Sequence, residues 1–249
     1  MLRSTFIYLS RQKQVFKFVR GNALAQHFAR RFVAGETADE AIAAVAELNK
    51  KGITASLDLL GESVFTEAEA RAAGKSYVAL LNRIAEKKVN ANVSLKLTQM
   101  GFDINEKLCV EIVREILETA RGTNSFVRLD MEASAYTQRT LDLFERHLYP
   151  TYTPEVGVVL QSMMRRTYDD VEWAIKNRAR VRLCKGAYLE PAAVAFPSKK
   201  DVDACFAKCT HALLERGNYA GIATHDEALI DDTIRFARER NIAPDRFEF

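Results

Sequence analysis

Short apolar runs alternate along this chain with longer stretches in which apolar residues recur every three or four positions. The runs fall at 53–61, 92–97, 126–130, 156–161, 181–184 and 221–224, and a last one opens at Phe247. Runs this continuously apolar are what strands covered on both faces require. The stretches between them read as helices. Residues 66–88 carry Glu67 and Glu69 in the first turn and Lys87 and Lys88 in the last, which matches the two ends of a helix dipole. Residues 105–121 open on a capping Asn105 and set Leu108, Ile112 and Ile116 on one face. Stretches 201–216 and 226–240 begin with Asp and end in basic residues, and 39–50 is a helix ahead of the first strand.

Seven strands separated by six helices predict a parallel sheet with right-handed crossovers. Two architectures satisfy that pattern: an open doubly wound sheet and a closed barrel. No GxGxxG follows any strand, so the usual dinucleotide-binding turn of the open fold is missing. Polar residues instead recur at the C-terminal ends of successive runs. They are Asp58 and Glu62, then Lys96, then Asp130 and Glu132, then Gln161, then Arg182 and Lys185, then Thr224 and His225. Barrel enzymes place their sites at that end. The pattern therefore predicts an α/β fold, a (β/α)8 TIM-type barrel, with residues 1–249 as one domain and 1–50 as N-terminal helices packed on it.

A length of 249 residues suits one such barrel, which typically needs roughly 250. The net charge of +3 is too weak, and the basic residues too scattered, for a nucleic-acid surface. The most basic stretch, 3–31, interleaves Arg11, Lys13, Lys17 and Arg20 with Phe6, Phe16, Phe18 and Phe28. That composition is compatible with contact to anionic lipid, but an amphipathic helix packed on the domain is the simpler reading. Cys109, Cys184, Cys205 and Cys209 include no CxxC pair, and no metal set is completed around Cys205 and Cys209, so reduced thiols and no metal are expected. No apolar run reaches the roughly 18 residues of a membrane span, and no signal peptide is visible, so the expected location is the cytoplasm, with peripheral contact at the inner face of the membrane left open.

A lone charge in a buried strand costs several kcal/mol, about 3–5 when its partner is lost, so charges of both signs on several strands imply mutual pairing or a charged ligand. The sharpest segment is Arg182-Leu-Cys-Lys-Gly-Ala-Tyr188. Arg182 and Lys185 fall on opposite sides of a regular strand, and Gly186 suggests a close backbone approach. Cations beside a glycine suit a phosphate or an electron-rich ring that gains negative charge; one inward and one outward structural cation would give the same pattern. Two other readings of these residues remain open: a Schiff-base enzyme using Lys96 or Lys185, and a barrel that serves as a scaffold.

Seven segments carry a resemblance. They are Arg31-Phe-Val-Ala-Gly-Glu-Thr37, Leu57-Asp-Leu-Leu-Gly-Glu62, Val93-Ser-Leu-Lys96, Arg128-Leu-Asp-Met-Glu132, Arg182 to Tyr188, Ala223-Thr-His-Asp226 and Phe247-Glu-Phe249. In these pieces and their order the chain resembles proline dehydrogenase of the monofunctional bacterial type. The resemblance implies a distorted (β/α)8 barrel, non-covalent FAD, and oxidation of L-proline to Δ1-pyrroline-5-carboxylate, with electrons passed to a quinone or other acceptor. It implies that Asp130 and Arg182 are catalytic and that Lys96, Ala187 and Tyr188 bind substrate, with Lys96 and Asp130 paired at the pocket floor. It implies cofactor contacts from Met131, Gln161, Arg182, Lys185, Gly186, Ala187, Thr224 and His225. The family's eighth strand, its final helix and an adjacent arginine pair that grips the proline carboxylate would follow Phe249. The barrel is thus expected to be incomplete at its C-terminus, and the 249-residue piece to bind proline poorly. Neither the oligomeric state nor the electron acceptor is legible.

Overall fold

A computed structural model of the chain describes residues 34, 35, 37–61 and 63–249. The basic, Phe-rich start and Glu62 lie outside the described residues. The chain divides into two compact units, Met1–Ala55 with Glu86–Asn90, and Ser56–Ala85 with Ala91–Phe249.

In the first unit, α1 (Ala38–Asn49) starts at Thr37 with a reciprocal capping box: Glu40 N–H donates to Thr37 Oγ1, and Thr37 N–H donates to Glu40 Oε2, both at 3.3 Å. Asn49 closes the other end. Its Nδ2 donates to the carbonyls of Ile53 and Asn90, and its Oδ1 accepts from Asn90 N–H at 2.7 Å. One side chain thereby joins the two chain segments of this unit.

The second unit is built on a sheet. The elements are β1 (Ala55–Asp58), α2 (Glu67–Lys87), β2 (Ala91–Leu95), α3 (Glu106–Gly122), β3 (Val127–Leu129), α4 (Ser134–Leu143), α5 (Tyr149–Tyr152), β4 (Val156–Gln161), α6 (Thr167–Lys176), β5 (Arg180–Cys184), α7 (Lys199–Arg216), β6 (Ala220–Ala223), α8 (Glu227–Glu239) and β7 (Phe247–Glu248). The strands lie side by side in chain order, β1 to β7. From β2 to β7 each pairs parallel with the next. This order decides between the two architectures that the alternation allowed. A doubly wound sheet reverses its strand order at a switch point; a sheet that always adds the next strand on the same side is the TIM type. Seven parallel strands among the described residues make this an incomplete barrel of the expected α/β class.

Register sorts the side chains into two sets of period two. Leu95, Leu129, Val158 and Val181 stand beside one another, as do Leu160, Leu183 and Ile222; all are apolar and essentially fully buried. The other set begins with Ser94, Arg128, Gly157 and Arg180, continues through Val159, Arg182, Gly221 and Glu248, and ends with Gln161, Cys184 and Ala223. All the polar residues of the paired strands fall in this second set, on the face that a barrel turns inward.

The helix ends follow local chemistry. Asn105 caps α3 by accepting from Lys107 N–H at 2.9 Å and Leu108 N–H at 3.3 Å. Ser198 caps α7 by accepting from Asp201 N–H at 3.1 Å, so that helix begins earlier than the expected Asp201. Between β3 and β4 the helix is broken into three: α4 widens into a π turn over Phe144–Leu148 before α5. Pro150 has no N–H to continue an α ladder, and the backbone accommodates it by widening.

Candidate active site

The C-terminal ends of β2, β3, β4 and β5 surround a cavity of about 490 Å³. Lys96, Asp130, Met131, Gln161, Arg182, Gly186, Ala187 and Tyr188, each expected at the site from sequence, line it together with Val159, Cys184 and Ala223. Three expected residues stand outside this lining. Lys185 turns away, its Nζ 2.7 Å from Asp203 Oδ1 on α7 and 2.7 Å from Asp226 Oδ2 ahead of α8. Thr224 accepts from Asp226 N–H at 3.1 Å, and His225 is exposed. Arg182 and Lys185 thus diverge, as the strand pleat predicts. Asp226 occupies the position before α8 but makes no side-chain cap; both Lys185 and Lys199 take its carboxylate, and their hydrogen bonds hold its pKa well below the usual carboxylate range.

A row of alternating charge crosses the cavity. Lys96 Nζ lies 2.9 Å from Asp58 Oδ2 and 3.9 Å from Asp130 Oδ2. Arg182 Nη2 donates to Asp130 Oδ1. The expected Lys96–Asp130 pair is present, but each residue has a closer partner: Asp58 for Lys96 and Arg182 for Asp130. Burial pushes the Asp130 carboxyl above its ordinary value, and Arg182 and Lys96 oppose that shift. Glu132, which the sequence also put at the mouth, has a structural role. It is buried and accepts from Thr98 N–H at 3.1 Å and Thr98 Oγ1 at 2.5 Å, tying β3 to the turn after β2.

Two features of the cavity wall are unexplained by packing alone. Gln161 is nearly fully buried; its Nε2 donates to the carbonyls of Met131 at 3.1 Å and Glu132 at 2.8 Å, while its Oε1 has no donor. A buried acceptor left without a donor is costly. Gly186 beside it has φ +100, and a Cβ there would lie 2.7 Å from Gln161 Oε1 and 2.6 Å from Met163 Sδ. Only glycine fits that position and that backbone conformation. The loop bearing Ala187 and Tyr188 is then tied down by Glu190, which accepts from Ser134 N–H at 2.7 Å and from Ser134 Oγ at 2.5 Å.

Sequence reasoning missed Tyr77 on α2, whose hydroxyl donates to Asp58 at 2.9 Å. A tyrosine on the apolar face of a helix carries no signal that separates it from core. It also missed Asp203, an ordinary acidic residue near a helix start.

The proline dehydrogenase family model matches residues 41–249. The chain is 36% identical over 251 residues to proline dehydrogenase 1 of Bacillus subtilis (strain 168), covering 100% of this chain and 82% of that one. It is 37% identical over 226 residues to the proline dehydrogenase of Deinococcus radiodurans, covering 90% of this chain and 73% of that one. The solved structure of proline utilization A from Bdellovibrio bacteriovorus, inactivated by N-propargylglycine, superposes with a TM-score of 0.83 at 24% identity. That match covers 90% of this chain but only 28% of the other, and it bears on the fold alone. With the family model spanning most of the chain and relatives matched over nearly all of it, the chain belongs to the proline dehydrogenase family.

Proposed function

We propose that this chain oxidises L-proline to Δ1-pyrroline-5-carboxylate with FAD as its resident cofactor, and that the cavity described above is the site. The observation that carries the reading is the pairing of Gln161 and Gly186. A buried amide oxygen without a donor, facing a glycine whose missing Cβ leaves room, fits a planar group that brings its own N–H or O–H to the wall. Met131 and Ala187 would close on that group, and Arg182 would stand beside it as a fixed cation. FAD, when bound, supplies the acceptor for the hydride that leaves the ring carbon next to nitrogen.

The chain's own residues would bind and align proline. Asp130 faces the cavity as an acceptor for the amine N–H, and the surrounding apolar wall of Val159, Ala187 and Ala223 keeps water from the reacting carbon. Asp130 is held by Arg182 and approached by Lys96, so it serves as an ordering group whose carboxylate is fixed in place at the cavity wall. The structure supports pyrophosphate contacts by Lys185, Thr224 and His225 less directly, because Lys185 is spent on Asp203 and Asp226. Release of Lys185 from those carboxylates would have to accompany any such contact. Electrons would leave to a quinone or another acceptor. Among the described residues no helix is long and apolar enough to cross a membrane, so access to a membrane quinone would be peripheral.

Arg182→Met tests the reading. The expected result is weaker FAD retention in the purified protein and a lower flavin potential, measured by absorbance and redox titration. Unchanged FAD content together with unchanged reduction by proline would refute the assigned role.

A further inference from the structure

Asp58, at the end of β1, stands at the outer end of the charged row. Its Oδ2 takes Lys96 Nζ at 2.9 Å. Its Oδ1 takes the hydroxyl of Tyr77 at 2.9 Å. Tyr77 is fully buried, and its hydroxyl also accepts from Leu59 N–H at 3.3 Å and lies 3.4 Å from Gln99 Oε1. The phenol is therefore locked onto the tip of β1 from the helix behind it. Burial, reinforced by the charge of Asp58, pushes its pKa up, so the phenol keeps its proton and stays a donor.

The consequence falls on Lys96. The same ammonium is 2.9 Å from Asp58 and 3.9 Å from Asp130, and one ångström separates a hydrogen bond from a loose ion pair. Asp130 Oδ1 is already taken by Arg182. Were Lys96 to close on Oδ2 as well, both oxygens of Asp130 would be saturated by cations, and an incoming amine would have to displace one of them. Asp58 prevents this by holding Lys96 on its own side, and Tyr77 prevents Asp58 from rotating to follow it.

We propose that Tyr77 and Asp58 are positioning residues that hold Lys96 off Asp130, keeping Asp130 Oδ2 for the amine N–H of the substrate. The inference rests on the proposed oxidation of proline in this cavity. It makes the rim of β1 and the core of α2 part of substrate recognition, although neither residue needs to touch proline.

The test uses full-length, FAD-loaded Tyr77→Phe and Asp58→Asn. Phe preserves the buried ring, and Asn preserves the shape while removing the charge that draws Lys96. In both variants KM for L-proline should rise about tenfold, the equivalent of one lost hydrogen bond, with kcat changed less than twofold and FAD content unchanged. Calorimetry with tetrahydrofuran-2-carboxylate supplies a readout apart from turnover. This ring has oxygen in place of nitrogen and no N–H to give Asp130, so its Kd should not change. Unchanged KM in both variants overturns the proposal. A rise in KM matched by an equal rise in the analogue's Kd, or loss of FAD from both variants, also overturns it, because either marks a general structural role. If Tyr77→Phe alone fails to fold, Asp58→Asn decides by the same split. Absence of proline turnover in the unsubstituted protein sinks the functional reading and this inference together, whereas turnover without the split sinks this inference alone.

Discussion

At the C-terminal ends of the strands, Lys96, Asp130 and Arg182 meet around an open cavity; at the N-terminal ends, Arg128 and Arg180 meet Glu248 among aromatic rings. Arg128 Nη2 donates to Glu248 Oε1 at 2.7 Å, and Tyr219 donates to Glu248 Oε2 at 3.2 Å. The Arg180 guanidinium lies 4.1 Å from the centre of the Phe126 ring and 4.5 Å from that of Tyr219. Arg180 Nε has no hydrogen-bond partner, but these two rings attract the cation in its place. Burial draws the Arg128 guanidinium below the ordinary arginine value, Arg182 adds to that shift, and Glu248 opposes it. A second cavity at this end is larger, about 770 Å³, and arginine-lined. Two of its cations are engaged: Arg216 forks onto Glu172, and Arg246 donates to the carbonyl of Gly217 at 2.9 Å. Cavity size therefore does not locate the chemistry. What distinguishes the C-terminal end is a buried acceptor without a donor, Gln161 Oε1, set in the cavity wall beside a glycine that holds the wall back and near the Asp130–Arg182 pair. In barrels the C-terminal end serves catalysis and the N-terminal end stability.

The largest effect should come from breaking the N-terminal pair. Glu248→Ala leaves Arg128 buried without its carboxylate and should cost about 3–5 kcal/mol in urea unfolding. FAD affinity of the folded protein should not change. If Glu248→Ala instead released FAD while leaving stability intact, the division of labour between the two ends would be wrong. Gly186→Ala tests the other end. An added methyl meets Gln161 and Met163 in a backbone conformation unfavourable to alanine, costing about 1–2 kcal/mol of stability. The sharper expectation is at least a tenfold loss of FAD affinity by fluorescence titration; retention of FAD would remove the glycine from the cofactor wall. Smallest is Asn105→Ala. Its hydrogen bonds cap α3 on the same side as the cavity, yet it lines no part of it, so it should cost about 1 kcal/mol in thermal unfolding with no change in FAD affinity. A change in affinity would mean that mere location at this end suffices for function.

Much of this was legible beforehand. Val156–Gln161 is fully buried along its length and reads as a strand from composition alone. Asn105 announces its helix, and Arg182 to Tyr188 announces the cavity. The segment between β3 and β4 was not bounded in advance, because Pro150 interrupts the helical period and the π turn that absorbs it has no sequence signature. The partners of Lys185 and Lys96 were also hidden. Asp203 and Asp58 lie far from those lysines in sequence, and residue type alone does not say which of several carboxylates a lysine reaches.

The sequence by itself determined the alternation of strand and helix, the recurrence of polar residues at the C-terminal ends of the strands and the membership of the family. These depend on periodicity and local chemistry, which act over a few residues. Strand order and pairing were decided by tertiary structure. Chain-order addition of strands chose barrel over doubly wound sheet, and side-chain packing gave the outward Lys185 its partners, Asp203 and Asp226. It also set Lys96 one ångström nearer Asp58 than Asp130. An ion pair is chosen by distance and burial, and both exist only once remote strands have been brought side by side.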